Sequence, residues 1–154
     1  TELSEKDRRE SCRIAELFFL DEVSALAAGH RPCHTCRNKD AKRFHEAYCA
    51  GNGIANASTK NKQLHAQRWY SAKQTPEPLA KNEIDALPDG TIIQSEDAFY
   101  AIKNHTLLNW TFTGYEKPIG FDRLNDSTVY CVTPKAMVAT LEQGYLPLWH
   151  STAS

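Results

Sequence analysis

Two cysteines stand two residues apart in the stretch HRPCHTC: Cys33 and Cys36, bordered by His30 and His34. A C-x2-C turn points both sulfurs the same way, so both thiolates can bind one tetrahedral metal ion, zinc being the usual one. Such an ion needs two more ligands. His30 and His34 lie too close to the pair to join it easily. Cys12 and His65 complete a Cys3His set. His45 and Cys49 offer a different completion, C-x2-C-x8-H-x3-C, from one helix face. Cys12 and His65 are the set adopted here. Two other readings of CHTC compete. A helix start beside Arg31 and His34 would favour the thiolate that a redox dithiol needs, but no βαβ context surrounds the pair. The pair could equally be two reduced structural cysteines.

Other residues carry weaker chemical signals. LHAQR puts His65 and Arg68 one helical turn apart on one face, which suits a ligand or general base beside a phosphate clamp. NWTFTGYEKP carries Trp110, Phe112 and Tyr115 near a Gly turn. Aromatics on a sheet can stack bases, and more often they are packing residues. His105 and His150 look isolated. There is no P-loop Lys after GNG at 51–53, no nucleophile elbow, no H-E-x-x-H and no complete HNH nuclease pattern.

The elements that must position these groups follow from periodicity and punctuation. CRIAELFFL (12–20) reads as a strand. DEVSALAAG reads as a short helix, with Asp21 as N-cap and Gly29 as its stop. Pro32 fits the first position of a new helix. NKDAKRFHEAYCAGN has the helical period, with Ala41, Phe44 and Tyr48 on an apolar face, Ala47 beside them, and Gly51 ending it. GNGIANASTKNK reads as an exposed loop, and KQLHAQRWYSAK as a helix. QTPEPLAKNEIDALPDG, with three prolines, is a connector and the best boundary in the chain.

Beyond the connector, GTIIQ, AFYAIKN, TLLNWTF and STVYCVT read as strands, with Asn104–His105 as a hairpin turn. TGYEKPIGFDRLNDS is a long loop or hairpin excursion. TPKAMVATLEQGY is a helix with Thr133 as N-cap, Pro134 at N1 and Gly144 as the stop. The apolar LPLWHSTAS packs back. The expected fold is α+β: a zinc-stabilised helical region, residues 1–75, on a small antiparallel sheet with one helix, residues 76–154.

The 154 residues are 41% hydrophobic and 24% charged, ordinary for a globular protein. No apolar run is long enough to cross a bilayer, so no membrane partner is expected. No signal peptide is visible, and five cysteines is an odd count, so a reduced cytoplasmic setting is expected. Net charge is −1, which argues against a generic nucleic-acid binder, yet the charge is unevenly spread. Residues 1–75 hold 13 Lys/Arg against 9 Asp/Glu, and residues 76–154 hold 5 against 10. The positive excess lies mostly between Arg31 and Lys73, where a basic surface could attract phosphate.

ALAAGHRPCHTCR (25–37), extended back without a gap through LFFLDEVS, resembles the A-x-x-A-G-F-R-P-C-K-x-C motif of the Ada-type metal-binding domain. That domain is the N-terminal zinc module of bacterial proteins that repair methyl phosphotriesters in DNA. The resemblance covers residues 17–37 and implies a zinc ion bound by Cys33 and Cys36 at a helix start. The family has two further upstream cysteines, one of which accepts the methyl group. Here only Cys12 lies upstream, so a mixed Cys/His site is expected rather than methyl transfer. The whole chain is also similar to a group of uncharacterised bacterial proteins, in ELFFLDE, ALAAGHRPC, LHAQR, LPDG, LNWTFTGY, VTP and GYLPLWHSTAS. The expected function is a Zn2+-binding protein that contacts nucleic acid, DNA first, through Arg31, Arg37, Lys39, Lys42, Arg43 and Arg68. The alternatives are a metal-dependent hydrolase or nuclease-like enzyme with an open zinc position, and a protein–protein interaction module. The sequence does not decide whether the protein is an enzyme.

Overall fold

A computed structural model describes residues 20–28, 30, 38–54, 62, 78–124 and 127–153. The architecture is α+β: four helices and one five-stranded antiparallel sheet among the described residues. No helix among them is long and apolar enough to cross a membrane. Of the strand expected over 12–20 only Leu20 is described, and it lies in no strand; the stop at Gly29, the Pro32 helix start and the LHAQR helix lie outside the described residues.

Helix α1 (Glu22–Ala27) starts where Asp21 caps it, the carboxylate accepting the Ser24 amide at 2.9 Å. Helix α2 (Asn38–Asn52) buries Ala41, Phe44 and Tyr48, as the period predicts. It does not stop at Gly51. It runs one residue further, and Gly53 (φ +65°) takes the left-handed position that ends it. Gly51 is instead needed for packing: a Cβ there would meet the Ala139 carbonyl oxygen at 2.5 Å.

The connector contains a short helix the sequence reading missed, α3 (Lys81–Asp85), whose Glu83 side chain accepts the Ala80 amide at 2.9 Å. Then come β1 (Ile92–Ser95), β2 (Ala98–Lys103), β3 (Thr106–Thr111) and β4 (Gly114–Tyr115), each antiparallel to the last. After a 3-10 turn at Phe121–Leu124, β5 (Val129–Cys131) returns to pair with β1, giving the order β4-β3-β2-β1-β5. The β2–β3 turn has positive φ at both Asn104 (50°) and His105 (59°), the twist-matching two-residue hairpin.

Helix α4 (Lys135–Glu142) follows, and Gly144 (φ +95°) stops it as expected. Its N-cap differs from expectation. Thr133 does not cap the helix, because its hydroxyl accepts the Ile92 amide of β1 at 2.9 Å, and Pro134 takes the cap position with no side-chain bond.

Three apolar clusters hold these parts together. One face of the sheet (Ile93, Ile102, Leu107, Val129) packs on Ile84 of α3 and on Leu124. The other (Ile92, Ala101, Leu108, Tyr115) packs on Val23 of α1, with Trp149 and Ala153 from the tail. The third is the α2–α4 seam, where Phe44 and Tyr48 meet Met137, Leu141 and Tyr145, joined by Leu26. Asn52 ties the end of α2 to α4, donating to the Ala136 carbonyl at 3.1 Å.

Candidate metal and nucleic-acid site

Of the expected site residues, Cys12, Arg31, Cys33, Cys36, Arg37, His65 and Arg68 lie outside the described residues. Lys39, Lys42 and Arg43 are described, and all three are exposed on α2. The helical period places them on one solvent arc, opposite Ala41, Phe44 and Tyr48. Asp40 sits beside them, 4.0 Å from the Arg43 guanidinium in a loose pair, and exposed Glu46 lies one turn on from Lys42 and Arg43, so this face carries three positive and two negative charges.

His45 and Cys49 flank this arc, both half-buried. The Cys49 sulfur lies 3.6 Å from His45 Nε2 and 3.8 Å from Nδ1. That is close to the separation of about 3.5 Å between a thiolate and an imidazole nitrogen on one tetrahedral zinc. Two donors do not make a site, however, and among the described residues no group of three or more His, Cys, Asp or Glu could hold a metal ion.

Cys131 is no candidate ligand either. It sits on β5 and donates to the Thr133 carbonyl at 3.2 Å, and burial pushes its thiol up to about 11. The Tyr48 hydroxyl, under the basic arc, is pushed up to about 12 by burial first and by the neighbouring Cys49 charge second.

The best-formed polar cluster among the described residues lies elsewhere, where α1 meets the tail. Asp21 Oδ1 accepts from the Ser24 amide and hydroxyl, each at 2.9 Å. Its Oδ2 accepts from the Tyr115 hydroxyl at 2.8 Å and the His150 amide at 2.9 Å. Glu22 Oε1 accepts from the Tyr145 hydroxyl at 2.7 Å and the Leu148 amide at 3.2 Å. The Trp110 indole donates to the Ser24 hydroxyl at 2.9 Å. The Tyr115 hydroxyl is held well above its ordinary pKa, by burial first and by the Asp21 charge second.

His150 is therefore not isolated. Its Nδ1 lies 2.8 Å from the Thr152 hydroxyl and accepts the Thr152 amide at 3.3 Å, while the hydroxyl oxygen accepts the Tyr115 amide at 2.7 Å. His105 is not isolated either, its ring lying 4.5 Å from that of Phe121. No periodicity reports such a clasp. The sequence signal was only the density of hydrogen-bonding groups in DE and WHST. Chemically the cluster is a clamp, each carboxylate spent on several donors, and it fixes the helix that leads into the C-x2-C stretch.

The chain matches no family model, no curated protein and no solved structure.

Proposed function

We propose that the protein binds zinc and contacts nucleic acid, DNA first, through the cationic face of α2 and the C-x2-C stretch before it. The observation that carries this reading is the arc of Lys39, Lys42 and Arg43, exposed together on a helix that begins two residues after Cys36. Cations in a row on a rigid helix meet successive phosphates without reading bases. Arg31, Arg37 and Arg68 are the further phosphate contacts in this reading. Cys33 and Cys36 hold the ion, with Cys12 and His65 as partners. Four protein ligands leave no open position, so the ion is structural and its binding is coupled to folding.

The test has two readouts. Purified protein should carry about one zinc per chain, lost in Cys33→Ser/Cys36→Ser. Zinc-loaded protein should bind labelled duplex or single-stranded oligonucleotide at low salt. In Lys39→Ala/Lys42→Ala/Arg43→Ala the slope of log affinity against log salt should fall by roughly 2 to 3. A zinc-loaded, folded protein with no affinity for DNA or RNA at low salt ends the nucleic-acid reading. A metal-free wild type ends the zinc reading.

A further inference from the structure

The sheet face that carries α1 is covered at one end and bare at the other. Register places its side chains in rows. Ile92, Ala101 and Leu108 form a buried row under α1. The next row is Gln94, Phe99 and Trp110: Gln94 pairs with Phe99, and the Phe99 and Trp110 rings meet edge to face at 6.4 Å. One step further, Glu96 and Asp97 form the β1–β2 turn, and Phe112 follows the last residue of β3. Phe112 opens the tight β3–β4 turn, in which Thr111 pairs with Gly114. Phe112 is 90% exposed, with its ring 4.9 Å from Trp110. Trp110 is itself held in place through its indole by Ser24. The result is an anchored aromatic surface edged by two exposed carboxylates.

From this juxtaposition we propose that this end of the sheet binds an arginine side chain presented by a basic segment of a partner protein. A guanidinium stacks on aromatic rings and is drawn to their faces. Its fork also matches a carboxylate, and Glu96 and Asp97 stand at the edge of the same surface. Residues 76–154 carry 10 acidic against 5 basic residues, which adds long-range attraction for a basic segment. The same charge disfavours phosphate here, so the surface is distinct from the cationic arc of α2 and does not depend on the metal.

The test is a titration of the full chain with an acetylated, amidated Gly-Arg-Gly-Arg-Gly peptide, followed by NMR. The control peptide has citrulline, neutral and of the same shape, in place of each arginine. Saturable shifts should centre on the Trp110 indole and on Phe99 and Phe112, and be absent with citrulline. Phe99→Ala/Phe112→Ala should weaken binding about tenfold. Glu96→Gln/Asp97→Asn should weaken it several-fold and reduce its salt dependence. Phe112 is exposed, so Phe112→Ala alone keeps the fold and serves if the double variant does not. The proposal is overturned if millimolar peptide shifts nothing at these residues, if citrulline binds equally, or if the variants bind like wild type. It is also overturned if a single-stranded oligonucleotide takes this surface, or if a second copy of the chain does, seen as self-association lost in Phe112→Ala.

Discussion

The α2–α4 seam and the α1–tail clasp both join an N-terminal helix to the last quarter of the chain, by opposite means. The seam is apolar and close: Phe44 meets Tyr145 edge to face at 5.3 Å, and Gly51 lets the α2 backbone approach Ala139. The clasp is polar and directional, with two carboxylates on α1 collecting donors from Ser24, Tyr115, Tyr145, Leu148 and His150. A seam of that kind depends on volume. A clasp depends on which atoms carry hydrogen, so single-atom changes should reach it and leave the seam untouched.

Phe44→Ala should give the largest effect. It empties the centre of the seam and should cost about 3 to 5 kcal/mol by urea denaturation, with the clasp following only through global unfolding. An intermediate cost should come from Asp21→Asn. The amide keeps an acceptor but loses its charge and turns a donor toward groups that already donate, so about 2 kcal/mol should go. Tyr115→Phe removes one donor from the same carboxylate and should cost about 1 kcal/mol. If the two together cost much less than their sum, the clasp acts as a unit.

The smallest effect is that of mild alkali. The Cys131 and Tyr48 pKa values are raised, to about 11 and about 12, and that of Tyr115 is raised too. Groups held neutral in the fold ionise first in the unfolded chain. Their stabilisation is complete below the unfolded values of about 9 for the thiol and 10 for the phenols, and is lost as pH climbs through the folded ones. Thermal melts should therefore be level through neutrality and decline from about pH 9 upward. A decline beginning near pH 7 would mean that something other than these groups governs the joint.

The local parts of this fold were readable. The period of Ala41, Phe44 and Tyr48, the Asp21 cap, the Asn104–His105 turn and the Gly144 stop are each set within a few residues, where propensity and sterics decide. What escaped was long-range. The Thr133 hydroxyl goes to Ile92, 41 positions away, and no local rule can weigh that bond against a helix cap. Gly51 looks like a stop, but its role depends on Ala139. Phe99 drew no notice because a lone aromatic in a strand is ordinary; only the β2–β3 register sets it against Trp110. Of the expected site, the cations of α2 were legible from charge, and they are exposed as a solvent face should be. The thiols Cys12, Cys33 and Cys36, with His65, lie outside the described residues, so their assembly rests on spacing alone.

The tail bonds have one more consequence, in time. His150 reaches Asp21 across 129 positions, and Tyr145 reaches Glu22 across 123. A ribosome adding about 5 to 20 residues per second needs many seconds to pass from one partner to the other. Throughout that interval α1 exists without its clasp and α2 without α4. Helix α1 is thus among the last elements to be secured, and a nascent chain truncated before Lys135 should expose Phe44 and Tyr48 to whatever binds apolar surface first.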